Sequence, residues 1–235
     1  MKALTILDCT LRDGGYYNNW NFDRDTVNRY LQAMSLCNVD IVELGLRNDP
    51  LDKTKSNFQS TTEDFLLNFD LPNNLEYGVM LNAKDFFNLP NDEEVKSSVN
   101  KRFLQKEDSV ISLVRVAVHY DDALKTKPII VQLKALGYKV GLNLMQSNGK
   151  SEESYVTLAT ELYSWDQIDV LYFADSLGNM DIEDVKKINN LITAGWKGSV
   201  GFHSHNNKGF ALANAITAVR SGVKWCDSTV TGMGR

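Results

Sequence analysis

Residues 170–205 read VLYFADSLGNMDIEDVKKINNLITAGWKGSVGFHSH, and the order of the parts in this stretch decides the fold. An apolar run, Val170 to Ala174, leads through a glycine-containing turn into a segment where Val185, Ile188 and Ile192 recur at near-helical spacing. Asp181 is placed to cap that helix. A second run, Val200 to His205, closes the stretch. Two runs apolar enough to be buried on both faces, joined by an amphipathic crossover, make one strand–helix–strand unit of a parallel sheet.

The same alternation extends in both directions. Further strand-like runs are Leu4 to Asp8, Ile41 to Leu46, Tyr77 to Leu81, Ile111 to His119, Val140 to Met145 and Trp225 to Val230, giving eight with the two above. Val27, Tyr30, Leu31 and Met34 follow helical spacing after the first, and Pro128 suits the first turn of a helix that Gly137 would close. Eight such units predict an α/β fold, a (β/α)8 TIM barrel, with its active site at the C-terminal ends of the strands. The whole of 1–235 is expected to be a single catalytic barrel domain. It stops just after the eighth run, so the eighth helix is missing. Either the chain is a barrel truncated from a longer protein after strand 8, or something else covers that seam. An uncovered seam would favour a partner subunit, and so a homo-oligomer. The long irregular stretch from Arg47 to Thr62 is expected to be a lid over the barrel mouth or a surface loop.

With 43% apolar and 23% charged residues, the 235-residue chain can bury one substantial core. Its net charge of -5, without a basic block, argues against nucleic acid or an anionic membrane as partner. Cys9, Cys37 and Cys226 are too few and too scattered for a disulfide framework, which suits a reducing cytoplasm. The run from Ala3 to Leu7 is cut by Asp8 and reads as a strand, not a leader. No apolar run approaches the ~20 residues of a membrane span.

Two clusters could carry chemistry. His203-Ser204-His205 ends the seventh strand, where alternation turns both imidazoles to one side, as metal ligands or as an ordinary hydrogen-bonded pair. Asp8-Cys9-Thr10-Leu11-Arg12-Asp13-Gly14-Gly15 follows the first strand, with two carboxylates and a guanidinium in six residues. Barrel closure leaves only strand eight between them, so Asp13 can meet the two histidines as a two-histidine, one-carboxylate site. Arg12 would stabilise an enolate oxygen, or serve as a salt bridge to Asp8 or Glu43. Glu43, a carboxylate in an apolar strand, needs a partner and is either catalytic or ion-paired with Arg12 or Arg115. Asp175 is either catalytic or the cap of its turn. Arg115, His119 and Asn143, on strands four and five, are taken as substrate-binding groups.

Together these segments resemble the metal-dependent DRE-TIM barrel lyases and synthases, the group of 3-hydroxy-3-methylglutaryl-CoA (HMG-CoA) lyase, isopropylmalate and homocitrate synthases and 4-hydroxy-2-oxovalerate aldolase. The resemblance runs along the whole chain. It rests on the Asp8–Gly14 segment, Val42-Glu43-Leu44-Gly45, Ala174-Asp175-Ser176-Leu177-Gly178, His203-Ser204-His205-Asn206 and Gly232-Met233-Gly234. Val114-Arg115-Val116-Ala117-Val118-His119 and the ending Thr231-Gly232-Met233-Gly234-Arg235 are most similar to the aldolases.

The resemblance implies a divalent ion on Asp13, His203 and His205, manganese or magnesium first and zinc or cobalt next. It also implies a small 2-oxo acid substrate and an enolate stabilised by Arg12. The expected reaction is aldol cleavage or formation of a 4-hydroxy-2-oxo acid through a pyruvate enolate. Where those aldolases carry a histidine two residues past the motif glycine, this chain has Tyr16, which becomes the candidate acid–base group. Docking of an acetaldehyde dehydrogenase partner is not expected, since the helical region that performs it in those aldolases has no counterpart here. The alternatives are a Claisen-type acyl-CoA/2-oxo acid synthase, an HMG-CoA lyase-like enzyme, and a catalytically inactive metabolite-binding barrel. No basic cluster for a CoA phosphate stands out.

Overall fold

The computed structural model describes residues 4–234; Arg235, the last residue of the ending quoted above, lies outside the described residues. Eight parallel strands close in chain order: β1 (Thr5–Asp8), β2 (Ile41–Leu46), β3 (Glu76–Asn82), β4 (Ile111–His119), β5 (Lys139–Met145), β6 (Val170–Asp175), β7 (Ser199–Ser204) and β8 (Trp225–Ser228). The ring is completed by β8 lying beside β1, with Thr5 opposite Trp225 and Asp8 opposite Ser228. The TIM barrel expected from the sequence is therefore the observed fold, and only strand ends move. The eighth strand stops at Ser228 because Val230–Gly232 turns into a 3-10 helix.

Six helices of nine residues or more clothe the barrel: α1 (Arg24–Leu36), α2 (Asp92–Arg102), α3 (Lys127–Ala135), α4 (Glu152–Ser164), α5 (Ile182–Gly195) and α6 (Ala211–Arg220). Their sequences explain their ends. Asp181 accepts from the amides of Glu183 and Asp184, and the Asp184 side chain reaches back to the Asp181 amide, so α5 starts in a reciprocal capping box. Pro128 sits in the first turn of α3, and Gly137, at φ +91°, takes the left-handed position just past its end. Val27, Leu31 and Met34 face the core from α1, as their spacing requires.

The connection after β2 departs from the regular pattern. It holds only two one-turn helices, Asn57–Ser60 and Glu63–Leu66. Arg47 is fully buried, donates to both oxygens of Glu63 and to the Arg102 carbonyl, and lies over the Phe103 ring. Phe58 packs into the core against Phe22, Phe65 and Phe69. The lid expectation is corrected accordingly: 47–62 is pinned to the flank of the barrel by a buried ion pair and an aromatic cluster, and none of it lines the cavity described below.

Inside the barrel, β2, β4, β6 and β8 each send one large polar side chain to a single level: Glu43, Arg115, Tyr172 and Asp227. Layers of four from alternate strands are how such barrels fill. This layer fits because the neighbouring odd strands carry glycine there. A Cβ on Gly201 would stand 2.4 Å from the Tyr172 ring, and one on Gly141 would stand 3.1 Å from Arg115 Cγ. On the outside, Phe210, Leu212 and Ile216 leave apolar surface exposed at and along α6. No helix among the described residues is long and apolar enough to cross a membrane.

Candidate metal centre

The first strand ends at Asp8, and the chain turns at once into a one-turn helix, Thr10–Asp13. Asp8 is what holds this turn. Its carboxylate accepts from the Thr10 amide, the Ser228 hydroxyl and the Tyr30 hydroxyl, tying β1, β8 and α1 together. The Trp20 indole donates to the Arg12 carbonyl at 3.0 Å and clamps the turn from the other side. The two charges of the turn are thereby aimed into the barrel, where Arg12 and Asp13 are both buried.

Asp13 meets the end of β7 as the sequence requires. Its Oδ2 lies 3.4 Å from His203 Nε2, and His203 Nε2 lies 3.2 Å from His205 Nε2. The proton positions follow from what the other ring nitrogens touch. His203 Nδ1 is 2.7 Å from a carboxylate oxygen of Asp227, and His205 Nδ1 is 3.0 Å from the Ser176 carbonyl oxygen. A carbonyl and an ionised carboxylate can only accept, so each neutral ring donates from Nδ1 and leaves a lone pair on Nε2. Burial, and then the neighbouring His203, hold the His205 pKa below its ordinary value, which favours the neutral ring. The two Nε2 lone pairs then face each other, with the Asp13 oxygen beside that of His203, a set of donors that could hold a cation.

The surrounding charge agrees. Glu43 accepts from Arg12 Nε at 2.8 Å and from Arg115 Nε and Nη2, each at 2.8 Å, while Arg115 Nη1 donates to Asp227 at 2.6 Å. Arg12 Nη1 also donates to Asp13. Three carboxylates against two guanidinium groups leave a net negative, buried centre. Burial works against ionising Asp13, but the Arg12 guanidinium beside it outweighs that and its pKa lies below the ordinary value. For Asp227 the same contest, decided by Arg115 and His203, ends at a pKa of about 2. Burial pushes the Cys9 thiol well up. Arg12 Nη2, Asn143 Oδ1, Tyr172 Oη and the second oxygen of Asp227 are buried with no hydrogen-bond partner.

A cavity of about 530 Å³ opens over this cluster, lined by Cys9, Asp13, His203, His205 and Asp227 on one side and by Ala211, Leu212, Ala215 and Met233 on the other. Of the residues singled out from the sequence, the structure brings Arg12, Asp13, Glu43, Arg115, His203 and His205 into one connected group. Asn143 is buried on the adjoining β5. Arg115 lies beneath the cavity with its guanidinium committed to Glu43 and Asp227. Asp175 spends one oxygen on the Asn179 amide and the other on the Met180 amide, and so caps its turn. His119 is exposed at the end of β4, and Tyr16, half-exposed, packs its ring edge-on against Trp20; neither lines the cavity.

Sequence reasoning missed Asp227, Tyr172 and the placement of Cys9. Asp227 carried a usable signal, since a carboxylate within a barrel strand needs a buried partner. The three atoms that meet most compactly as donors are Cys9 Sγ, an Asp13 oxygen and a His203 nitrogen, all within 4.8 Å of one another.

Known proteins extend this geometry. The family model described as HMGL-like matches residues 99–235, more than half of the chain. A 4-hydroxy-2-oxovalerate aldolase of Carboxydothermus hydrogenoformans is 28% identical over 237 residues, an alignment covering 99% of this chain and 66% of that protein's length. Among solved structures, the N-terminal domain of a candidate aldolase from Bacteroides vulgatus superposes with a TM-score of 0.81 at 28% identity, over 99% of this chain and 74% of that one. The HMG-CoA lyase of Bacillus subtilis, at 17% identity, shares the fold with a TM-score of 0.70 over 98% of this chain and 78% of its own. This chain belongs to the HMGL-like family.

Proposed function

We propose that this barrel is the catalytic part of a divalent-metal-dependent aldolase that cleaves or forms a 4-hydroxy-2-oxo acid through a pyruvate enolate. The observation that carries the proposal is the pair of Nε2 lone pairs of His203 and His205, 3.2 Å apart, facing the ionised Asp13 inside a net negative cavity. Asp13, His203 and His205 would hold the ion; the family resemblance puts manganese or magnesium first and zinc or cobalt next, and the donor set decides among them. When bound, a divalent ion supplies Lewis-acid polarisation of the 2-oxo group and selects substrates that present neighbouring oxygens.

The chain's own groups support the remaining steps. In cleavage, the proton leaves the 4-hydroxyl, the electrons of that O–H bond form the aldehyde carbonyl, and the C3–C4 pair moves into the 2-oxo group. Negative charge then collects on the enolate oxygen. Arg12 is suited to receive it, since its Nε and Nη1 are held by Glu43 and Asp13 while Nη2 remains unspent. Glu43 and Arg115 act as the brace that keeps Arg12 in that pose. Asn143 Oδ1 is an unused buried acceptor available for a substrate hydroxyl. Tyr16 is the candidate for the proton at the 4-hydroxyl, a role that requires its ring to leave Trp20 and swing toward the cavity. The apolar wall of Ala211, Leu212 and Met233 would accommodate the carbon chain of the aldehyde half.

The test is pyruvate release from 4-hydroxy-2-oxopentanoate by metal-stripped protein, before and after manganese is added. The expected result is turnover only with metal, abolished in His203→Ala and His205→Ala and reduced at least tenfold in Tyr16→Phe. Binding of manganese without turnover on any 4-hydroxy-2-oxo acid would refute the substrate class.

A further inference from the structure

We infer that Cys9 is a sulfur ligand of the same centre, beside Asp13 and His203, so that the site prefers a borderline ion such as zinc or cobalt(II) over manganese or magnesium. This rests on the reading that the Asp13–His203–His205 cluster binds a divalent ion.

Cys9 is wholly buried at the end of β1, one turn before Asp13. Its Sγ lies 3.5 Å from Asp13 Oδ2 and lines the cavity with the three other candidate ligands. The compact donor group in this structure is Cys9, Asp13 and His203, all within 4.8 Å of one another. Ligands around a four-coordinate ion, at metal–sulfur and metal–nitrogen or –oxygen distances of ~2.0–2.3 Å, stand roughly 3.3–3.7 Å apart. The observed separations of 3.5 Å for Cys9–Asp13 and 3.4 Å for Asp13–His203 match that spacing. Cys9 clusters on one side with Leu7, Ile41 and Leu113, while its sulfur meets the Asp13 carboxylate and, at 3.4 Å, the Ser228 carbonyl.

The second oxygen of Asp227, buried and unpartnered in the lining of the same cavity, is an independent acceptor facing that place. Sulfur changes which ion the site prefers. Manganese and magnesium favour oxygen donors, whereas thiolate and imidazole together favour zinc and its neighbours. On binding, the Cys9 S–H proton leaves to solvent and the sulfur lone pair forms the metal bond, with no change of oxidation state.

Cobalt(II) tests this directly, because thiolate bound to cobalt gives an intense near-ultraviolet charge-transfer band that oxygen and nitrogen ligands do not give. The full chain, stripped with a chelator, is titrated with cobalt(II) alongside Cys9→Ser, Cys9→Ala and His203→Ala. The expected result is a saturable band in the unmodified protein that both Cys9 variants lose while still binding cobalt by calorimetry, with affinity for zinc reduced about tenfold or more and affinity for manganese within twofold. Cobalt binding without the band overturns the sulfur ligand and leaves the metal centre standing. Absence of cobalt binding, or binding that survives His203→Ala, overturns both. The spectrum of the unmodified protein decides the matter even where a variant folds poorly.

Discussion

Replacing Asp227 by asparagine keeps the shape of a buried side chain and removes one charge from the floor of the candidate site. The carboxylate accepts from Arg115 Nη1 at 2.6 Å and from His203 Nδ1 at 2.7 Å through a single oxygen. An amide oxygen can still accept from both donors, but it brings no charge to pair with Arg115, and turned the wrong way its NH2 would meet their N–H groups. Breaking a buried ion pair by removing one partner costs ~3–5 kcal/mol. Arg115 keeps its two bonds to Glu43, so the expected loss is at the low end, about 3 kcal/mol.

Part of that loss has a pH signature. The Asp227 pKa is about 2 in the folded chain against an ordinary 3.8. The difference corresponds to about 2 kcal/mol. Because the folded pKa is depressed, this stabilisation is complete above pH ~4 and disappears as pH falls toward 2. Urea unfolding of both proteins at pH 7, 4, 3 and 2 should show a stability gap that is constant down to pH ~4 and narrows by about 2 kcal/mol below it. The same variant should bind divalent ions ~10–100-fold more weakly, since His203 loses the acceptor that fixes its Nδ1 proton. A gap under ~0.5 kcal/mol at pH 7, within the range of ordinary surface substitutions, with no narrowing in acid, would refute the argument.

Arg12→Lys should lower kcat for pyruvate release by ~10²–10³ with a smaller effect on KM, because a lysine cannot hold Glu43 and Asp13 and still offer a third donor. Equal loss in KM alone, by steady-state kinetics, would assign Arg12 to ground-state binding instead. Gly201→Ala places a methyl group 2.4 Å from the Tyr172 ring, in a layer with no room to spare, and should destabilise the barrel by ~1–3 kcal/mol in urea unfolding.

Most of the barrel was legible in the sequence because the signals are local. Buried parallel strands are apolar along their whole length, and α1 and α5 declare themselves through residues three and four apart. The connection after β2 was not legible. Its anchors, Arg47 to Glu63 and Phe58 to Phe65 and Phe69, join partners whose pairing only the folded chain reveals. The candidate site divides the same way. Asp13, Arg12, His203 and His205 stand at strand ends in a pattern that names their chemistry, and barrel closure alone predicts that they meet. Asp227 escaped notice because β8 is four residues long, too short to display an alternation.

The sequence by itself determined which residue types stand at which strand ends, and hence the barrel, the family resemblance and the candidate histidine pair. Tertiary structure alone decided how the charges are shared. Glu43 had two arginines open to it and holds both; Asp175 accepts from two backbone amides of its own turn; Cys9 stood inconspicuously between Asp8 and Thr10 and proves to lie against Asp13. The physical reason is range. Strand and helix periodicity are set by neighbours within a few positions, whereas a buried charge is stabilised by whichever partner closure brings within about 3 Å, here across 112 residues between Arg115 and Asp227.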